Sequence, residues 1–94
     1  MVISVFNVVG SPYCCERFTT EKIVGGETIR HLIISHWATN DTFLVDFNKI
    51  KVTTSAFMDD AFGKLLLHYS INLLKSKIDN VLSVLVIFSF KFLF

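Results

Sequence analysis

The sequence predicts an α/β fold in which a small mixed β-sheet carries two to three helices, all within one domain over residues 1–94. Strand-like and helix-like segments alternate along the chain, which is the pattern of helices packed on a sheet. The strand-like segments are almost continuously apolar, and 52% of all residues are hydrophobic, so a core can form. The length of 94 residues suits one domain and leaves no room for a second.

The first half of the chain predicts two strands and a helix. Residues 2–9 carry apolar side chains on both alternation sets, which is typical of a strand covered on two faces. Residues 13–19 predict a second, shorter strand. Gly25-Gly26 predicts a turn, and the apolar residues of 28–37 then recur at offsets of three and four, which indicates a helix.

The second half continues the alternation. Residues 42–47 predict a buried strand that could continue through Val52. A cluster of residues that favour helix N-caps, 53–55, precedes apolar residues at helical spacing from 57 to 69, which indicates a second helix. Residues 71–78 are strand-like. The segment from Asn80 onwards is rich in Val, Ile and Phe, so that both helix and strand remain open there.

Composition excludes several classes of protein. Nine basic residues against eight acidic ones give a formal charge of +1, which argues against a dedicated nucleic-acid binder. The only two cysteines, Cys14 and Cys15, are adjacent and form no disulfide framework. The N-terminus lacks the basic region of a signal peptide. The apolar run 81–94 contains Lys91 and is shorter than the roughly 20 residues of a membrane span, so we expect a cytoplasmic protein.

The sequence lacks the residue patterns of common catalytic and cofactor sites. Gly25-Gly26 is not followed by the Lys-Ser or Lys-Thr of a phosphate loop. His31 and His36 are five residues apart, so they point to different faces of a helix and do not share one metal. Asp59 and Asp60 are neighbours that point about 100° apart on a helix, which does not make an acid/base pair. We therefore expect no enzyme activity, no metal and no cofactor.

Residues 44–67 carry a motif with a recognisable order. They resemble the STAS-like family of small prokaryotic and phage domains of unknown function, whose members have a strand ending in Asp-Phe and then a helix start of the form Thr-Ser-Ser-Phe-x-Asp-Glu-x-Phe-Gly-Lys-Leu. Asp46 and Phe47 match the strand end, whereas Ala56 and Asp60 stand where the family has Ser and Glu. The helix start is matched by Thr54, Ser55, Phe57, Asp59, Phe62, Gly63, Lys64 and Leu65. A looser match extends over residues 25–80, and the resemblance implies the STAS-like fold.

The resemblance also implies a role. The family is similar to the STAS domains of anti-sigma-factor antagonists, in which a histidine-kinase-type ATPase phosphorylates a serine at the start of a helix. Ser55 takes the position of that serine, so the resemblance implies a regulatory protein–protein interaction module with such an ATPase as partner and Ser55 as the candidate phosphorylation site. The residues implied in partner binding or regulation are Thr54, Ser55, Phe57, Asp59, Asp60, Gly63 and Lys64.

Other interpretations of the same residues stay open. The Ser55 hydroxyl can act as a helix N-cap that accepts an N–H of the first turn. Gly63 favours either close packing of the helix or a surface that a partner approaches closely. The apolar run 81–94 predicts association, either as a homodimer or with a protein partner.

A second function class also fits a small domain without catalytic chemistry, namely a stoichiometric inhibitor of a host defence protein, encoded by a phage or mobile element. Neighbouring genes would separate the two classes: an ATPase gene favours the regulatory module, and anti-defence genes favour the inhibitor.

Overall fold

The structure is a computed structural model that describes residues 1–79. Its strands are β1 (Val2–Ser4), β2 (Tyr13–Cys14), β3 (Phe43–Asp46), β4 (Val52–Thr53) and β5 (Ile78–Asp79). Its helices are α1 (Val5–Val9), α2 (Gly26–Ser35), α3 (Ser55–Ala61) and α4 (Ile71–Lys77), with a short 3-10 helix at Gly63–Leu67. The predicted α/β class is confirmed.

The described strands form two parallel groups. β1, β3 and β5 make a three-stranded sheet with β3 in the centre, where Ile3 lies opposite Val45 and Phe43 opposite Ile78. β2 and β4 pair separately, with Tyr13 opposite Val52. Parallel neighbours need a crossover, and α2 lies in the connection from β1 to β3.

The core lies between one face of the three-stranded sheet and the helices. Ile29 and Ile33 are one turn apart on α2 and completely buried, as the helical spacing predicts. Phe57 and Ala61 present the same spacing on α3 and are also completely buried. These helix faces pack in one cluster with the inward residues of the sheet, which are Ile3, Phe43, Val45 and Ile78.

The end of α2 is held by aromatic stacking. The Trp37 ring lies 3.8 Å from that of Tyr69, nearly parallel, and 5.9 Å from that of Phe43. The Lys77 ammonium lies 4.5 Å from the centre of the Trp37 ring and donates a hydrogen bond to the Trp37 carbonyl. Trp37 therefore joins α2 to α4 and to the sheet.

Two predictions for the first half are wrong in extent. Of the predicted strand 2–9 only Val2–Ser4 is extended, because the Ser4 hydroxyl accepts a hydrogen bond from Asn7 N–H and starts the short helix α1. Gly10, with φ of 73°, ends that helix. The predicted strand 13–19 is shortened to β2, since the chain beyond it turns to contact the start of α2. The predicted helix 28–37 is confirmed as α2, starting two residues earlier.

The second half departs from prediction at three points. The strand 42–47 is confirmed as β3, but it does not continue to Val52, because Lys49 takes a left-handed φ of 70° and turns the chain. The predicted helix 57–69 ends before Gly63, a poor helix former, and continues as the 3-10 helix. Residues 71–78 are mostly helical because Ser70 caps α4 by accepting from Leu73 N–H.

The predictions for 81–94 lie outside the described residues. Among the helices within residues 1–79, none is long and apolar enough to cross a membrane.

Candidate functional site

The start of α3 is fixed by Thr54. Its backbone is extended (φ −93°, ψ 160°), and its hydroxyl accepts a hydrogen bond from Phe57 N–H at 3.2 Å. The same hydroxyl donates to the Cys15 carbonyl at 3.0 Å, and Thr54 N–H donates to the Cys14 carbonyl at 2.9 Å. Thr54 is therefore both the N-cap of α3 and its link to β2.

The interpretation of Ser55 as the N-cap is wrong. A capping residue needs an extended backbone that folds its side chain over the first turn, and Ser55 is already the first helical residue of α3. Since Thr54 accepts the Phe57 N–H, the Ser55 hydroxyl lies outside the cap. Ser55 is half-buried, so it is partly accessible at the surface of the start of α3.

Asp60 is a completely buried carboxylate between two cations. Its Oδ1 accepts from Arg30 of α2 at 2.6 Å and from the Lys64 ammonium at 2.7 Å. Arg30 also donates to the Asp60 carbonyl at 2.8 Å. Burial raises the pKa of the Asp60 carboxyl, but hydrogen bonds and charges from Lys64 and Arg30 outweigh it, so this pKa lies below its ordinary value. Asp60 therefore stays ionised and ties α3 to α2.

Asp59 forms a second ion pair in a different direction. Its Oδ2 lies 2.5 Å from Arg17 Nη1, in the segment between β2 and α2. Because Asp59 and Asp60 are adjacent on one helix, their side chains diverge, as the sequence predicts. The two carboxylates thus attach α3 to two separate parts of the chain.

Gly25 and Gly26 let α2 approach its neighbours closely. A Cβ at Gly26 would lie 2.3 Å from the Phe57 carbonyl oxygen of α3. A Cβ at Gly25, the N-cap of α2, would lie 2.5 Å from the backbone of Phe18. The predicted turn is therefore a site of close backbone packing, which brings Arg30 within reach of Asp60.

The structure separates the implied site residues into two groups. Phe57, Asp60 and Gly63 are buried, so they support the helix from inside. The half-buried group, which reaches the surface, consists of Thr54, Ser55, Asp59 and Lys64. Sequence reasoning missed the two arginines that hold this segment, Arg17 and Arg30. The signal for such a partner was Asp60, because a carboxylate set among the apolar residues of a helix needs a partner from another part of the chain.

The two cysteines differ in environment. Cys14 is buried and Cys15 is exposed, and both thiols are free. Burial, with a smaller effect of Cys15, raises the pKa of the Cys14 thiol to about 11, so Cys14 acts as an apolar core residue. Cys15 lines an open cleft of about 390 Å³ beside β2. Within residues 1–79, no group of three His, Cys, Asp or Glu side chains is arranged to hold a metal ion.

The family comparison covers α2, α3 and the chain between them. The family model of the STAS-like domain of unknown function matches residues 25–81, which is more than half of the chain. The match includes Arg30, Asp60 and Lys64, whereas Arg17 precedes it. Comparisons with curated proteins and with solved structures find no match. This match covers more than half of the chain, and the parallel strand pairs with packed helices are consistent with it. The chain therefore belongs to the family of STAS-like domains of unknown function.

Proposed function

We propose that this chain is a non-catalytic regulatory module that binds a protein partner at the start of α3, and that the partner is a histidine-kinase-type ATPase. The observation that carries the proposal is the position of Ser55. Its hydroxyl lies outside the cap of α3, at a half-buried position, whereas the hydroxyl of the neighbouring Thr54 is engaged on both sides. A serine placed in this way is available for modification or for contact with a partner.

The surrounding ion pairs support this role because they hold α3 in place. Arg30 and Lys64 neutralise Asp60, and Arg17 neutralises Asp59. A preorganised helix loses little conformational freedom when a partner binds, which favours affinity.

The position of Asp59 provides a means of regulation. Ser55 and Asp59 are four residues apart, so their side chains are neighbours on the surface of α3. A phosphate on Ser55 would repel the Asp59 carboxylate and compete with it for Arg17. Phosphorylation would therefore change both the charge and the contacts of the binding surface.

The chemistry of Asp60 favours a structural role over an acid/base role. A general acid or base works best with a pKa near the working pH. The pKa of the Asp60 carboxyl is shifted in the opposite direction, below its ordinary value, by Lys64 and Arg30. Its role is accordingly to hold the fold.

The test uses a purified histidine-kinase-type ATPase from the same organism. We expect the purified ATPase and the full chain to co-elute as a complex, and the complex with ATP to transfer phosphate to the chain. The Ser55→Ala variant should lose this incorporation, whereas Ser35→Ala, at an exposed serine of α2, should retain it. Failure to form any complex would contradict the proposal, and a complex without phosphate transfer would restrict it to binding.

A further inference from the structure

An exposed aromatic ring lies next to a lysine beside α3. Phe18, in the segment between β2 and α2, is 58% exposed, and the Lys64 ammonium lies 5.6 Å from the centre of its ring. Arg17, the preceding residue, has a side chain that is 42% exposed. We refer to Arg17, Phe18 and Lys64 as the cationic aromatic patch.

Hydrogen bonds hold the patch in one conformation. Thr19 N–H donates to the Glu27 carboxylate at 2.7 Å, and Gly25 N–H donates to the Thr19 hydroxyl at 3.0 Å. The Arg17 carbonyl accepts from Glu27 N–H at 3.0 Å. Phe18 is therefore presented to solvent by a chain segment that is hydrogen-bonded on both of its sides.

The ion pairs leave their cations at the surface. Three cations, Arg17, Arg30 and Lys64, share two carboxylates, and the half-buried Glu27 carboxylate that accepts from Thr19 N–H balances the third charge. The carboxylates of Asp59 and Asp60 are only 13% and 0% exposed, whereas the side chains of Arg17 and Lys64 are 42% and 34% exposed. Within these ion pairs, the two aspartate carboxylates lie inside, whereas Arg17 and Lys64 face solvent.

We propose that the cationic aromatic patch is a docking surface for an acidic segment of a partner protein. An apolar side chain of that segment covers Phe18, and carboxylates on either side of it meet Arg17 and Lys64. Aromatic residues and arginines are the side chains that most often dominate binding energy in protein interfaces. The inference deepens the proposed function, since it rests on the chain binding a protein and states the chemistry of that partner.

Single-stranded nucleic acid is the competing class of ligand, because bases stack on exposed aromatic rings between cations. The charge of the chain favours a protein ligand, because the formal net charge is only +1. The patch also has only two cations, whereas a groove that binds a phosphate backbone needs many more. Tight binding of a short oligothymidine is the outcome of the test that would indicate a nucleic-acid ligand.

The test selects peptides from a random display library on the full chain. We expect the selected peptides to combine Asp or Glu with a large apolar residue, and to bind more weakly as the NaCl concentration rises. Phe18→Ala should weaken their binding about tenfold or more, because it removes the centre of the patch. The matched control is Leu73→Ala on α4, where the side chain is 42% exposed, and it should bind as the unaltered chain does.

A second pair of variants tests the charge. Lys64→Gln should weaken binding of the same peptides, whereas Lys75→Gln, at an exposed lysine of α4, should not. Since Lys64 also holds Asp60, Lys64→Arg serves as the rescue variant that keeps the charge.

The inference would be overturned if no peptides were selected, if the selected peptides lacked acidic residues, or if Phe18→Ala bound them undiminished. It would also be overturned if a short oligothymidine bound more tightly than the peptides and Phe18→Ala abolished that binding. Peptides that bind elsewhere on the chain would overturn this inference and leave the proposed function intact. Peptides that bind the patch while the ATPase forms no complex would instead contradict only the proposed ATPase partner.

Discussion

Asp60 of α3 and Arg30 of α2 form a buried ion pair, with 2.6 Å between Oδ1 and Nη1. Arg30 also donates to the Asp60 carbonyl, so one guanidinium holds both the side chain and the backbone of α3. The close approach of the two helices that allows this pair depends on Gly26, which lies against the Phe57 carbonyl. The position and orientation of the proposed binding helix therefore depend on this pair.

Removal of Arg30 should destabilise the domain strongly. Arg30→Ala leaves Asp60 completely buried with Lys64 as its remaining partner, and breaking a buried pair costs about 3–5 kcal/mol. Arg17→Ala breaks a pair whose cation is 42% exposed, so we expect a loss of about 1 kcal/mol or less. Urea unfolding followed by the fluorescence of Trp37, the single tryptophan, measures both free energies of unfolding. Equal losses for the two variants would contradict this order.

Acid should weaken the same contact. The pKa of the Asp60 carboxyl is lower in the folded chain than the value of about 3.9 in an unfolded chain. Its contribution to stability is therefore complete above the unfolded pKa and is lost as the pH falls through the folded one. The free energy of unfolding, measured from neutral to strongly acidic pH, should fall less steeply in Asp60→Asn than in the unaltered chain. Asp41→Asn, at an exposed position, is the control and should keep the slope.

The cap of α3 should be measurable at Thr54. Thr54→Ala should lower the free energy of unfolding by about 0.5–2 kcal/mol, because Phe57 N–H and the Cys15 carbonyl both lose their partner. Thr54→Ser keeps the hydroxyl and should recover most of the loss. Ser55→Ala should have a smaller effect than Thr54→Ala, and the reverse order would show that Ser55 is the cap after all.

The fold class and the start of α3 could be predicted from the sequence because both depend on local patterns. The helical spacing of Ile29 and Ile33 and the polar cluster before α3 are short-range signals that the structure confirms. The assignment of the cap within that cluster failed, since several adjacent residues could cap the helix and the contact with Cys15 decides between them. The helix α1 was missed because residues 5–9 have the composition of a strand.

The partners of the two aspartates could not be predicted. Arg17 and Arg30 are 42 and 30 residues away from Asp59 and Asp60, and only the packed fold brings them together. Spacing along a chain identifies neighbours four residues apart, such as Asp60 and Lys64, but not contacts between distant elements.

The thiols should react at different rates. When the native chain is treated with a reagent that forms mixed disulfides with free thiols, one thiol should be lost rapidly, namely that of the exposed Cys15. Cys14 should react only after unfolding, since its thiol is buried and its pKa is raised to about 11. Cys15→Ser should abolish the rapid reaction. Rapid loss of both thiols in the native chain would contradict the packing of β2.

The central claim is that the start of α3 is a regulated surface for a protein partner. Calorimetric titration of the full chain with a histidine-kinase-type ATPase from the same organism tests it most directly, with Ser55→Ala and Ser55→Asp compared in the same experiment. We predict saturable binding that Ser55→Ala changes little and that Ser55→Asp weakens about tenfold or more, since the added charge faces Asp59 one turn along the helix. Absence of binding, or equal affinity of the two variants, would contradict the account.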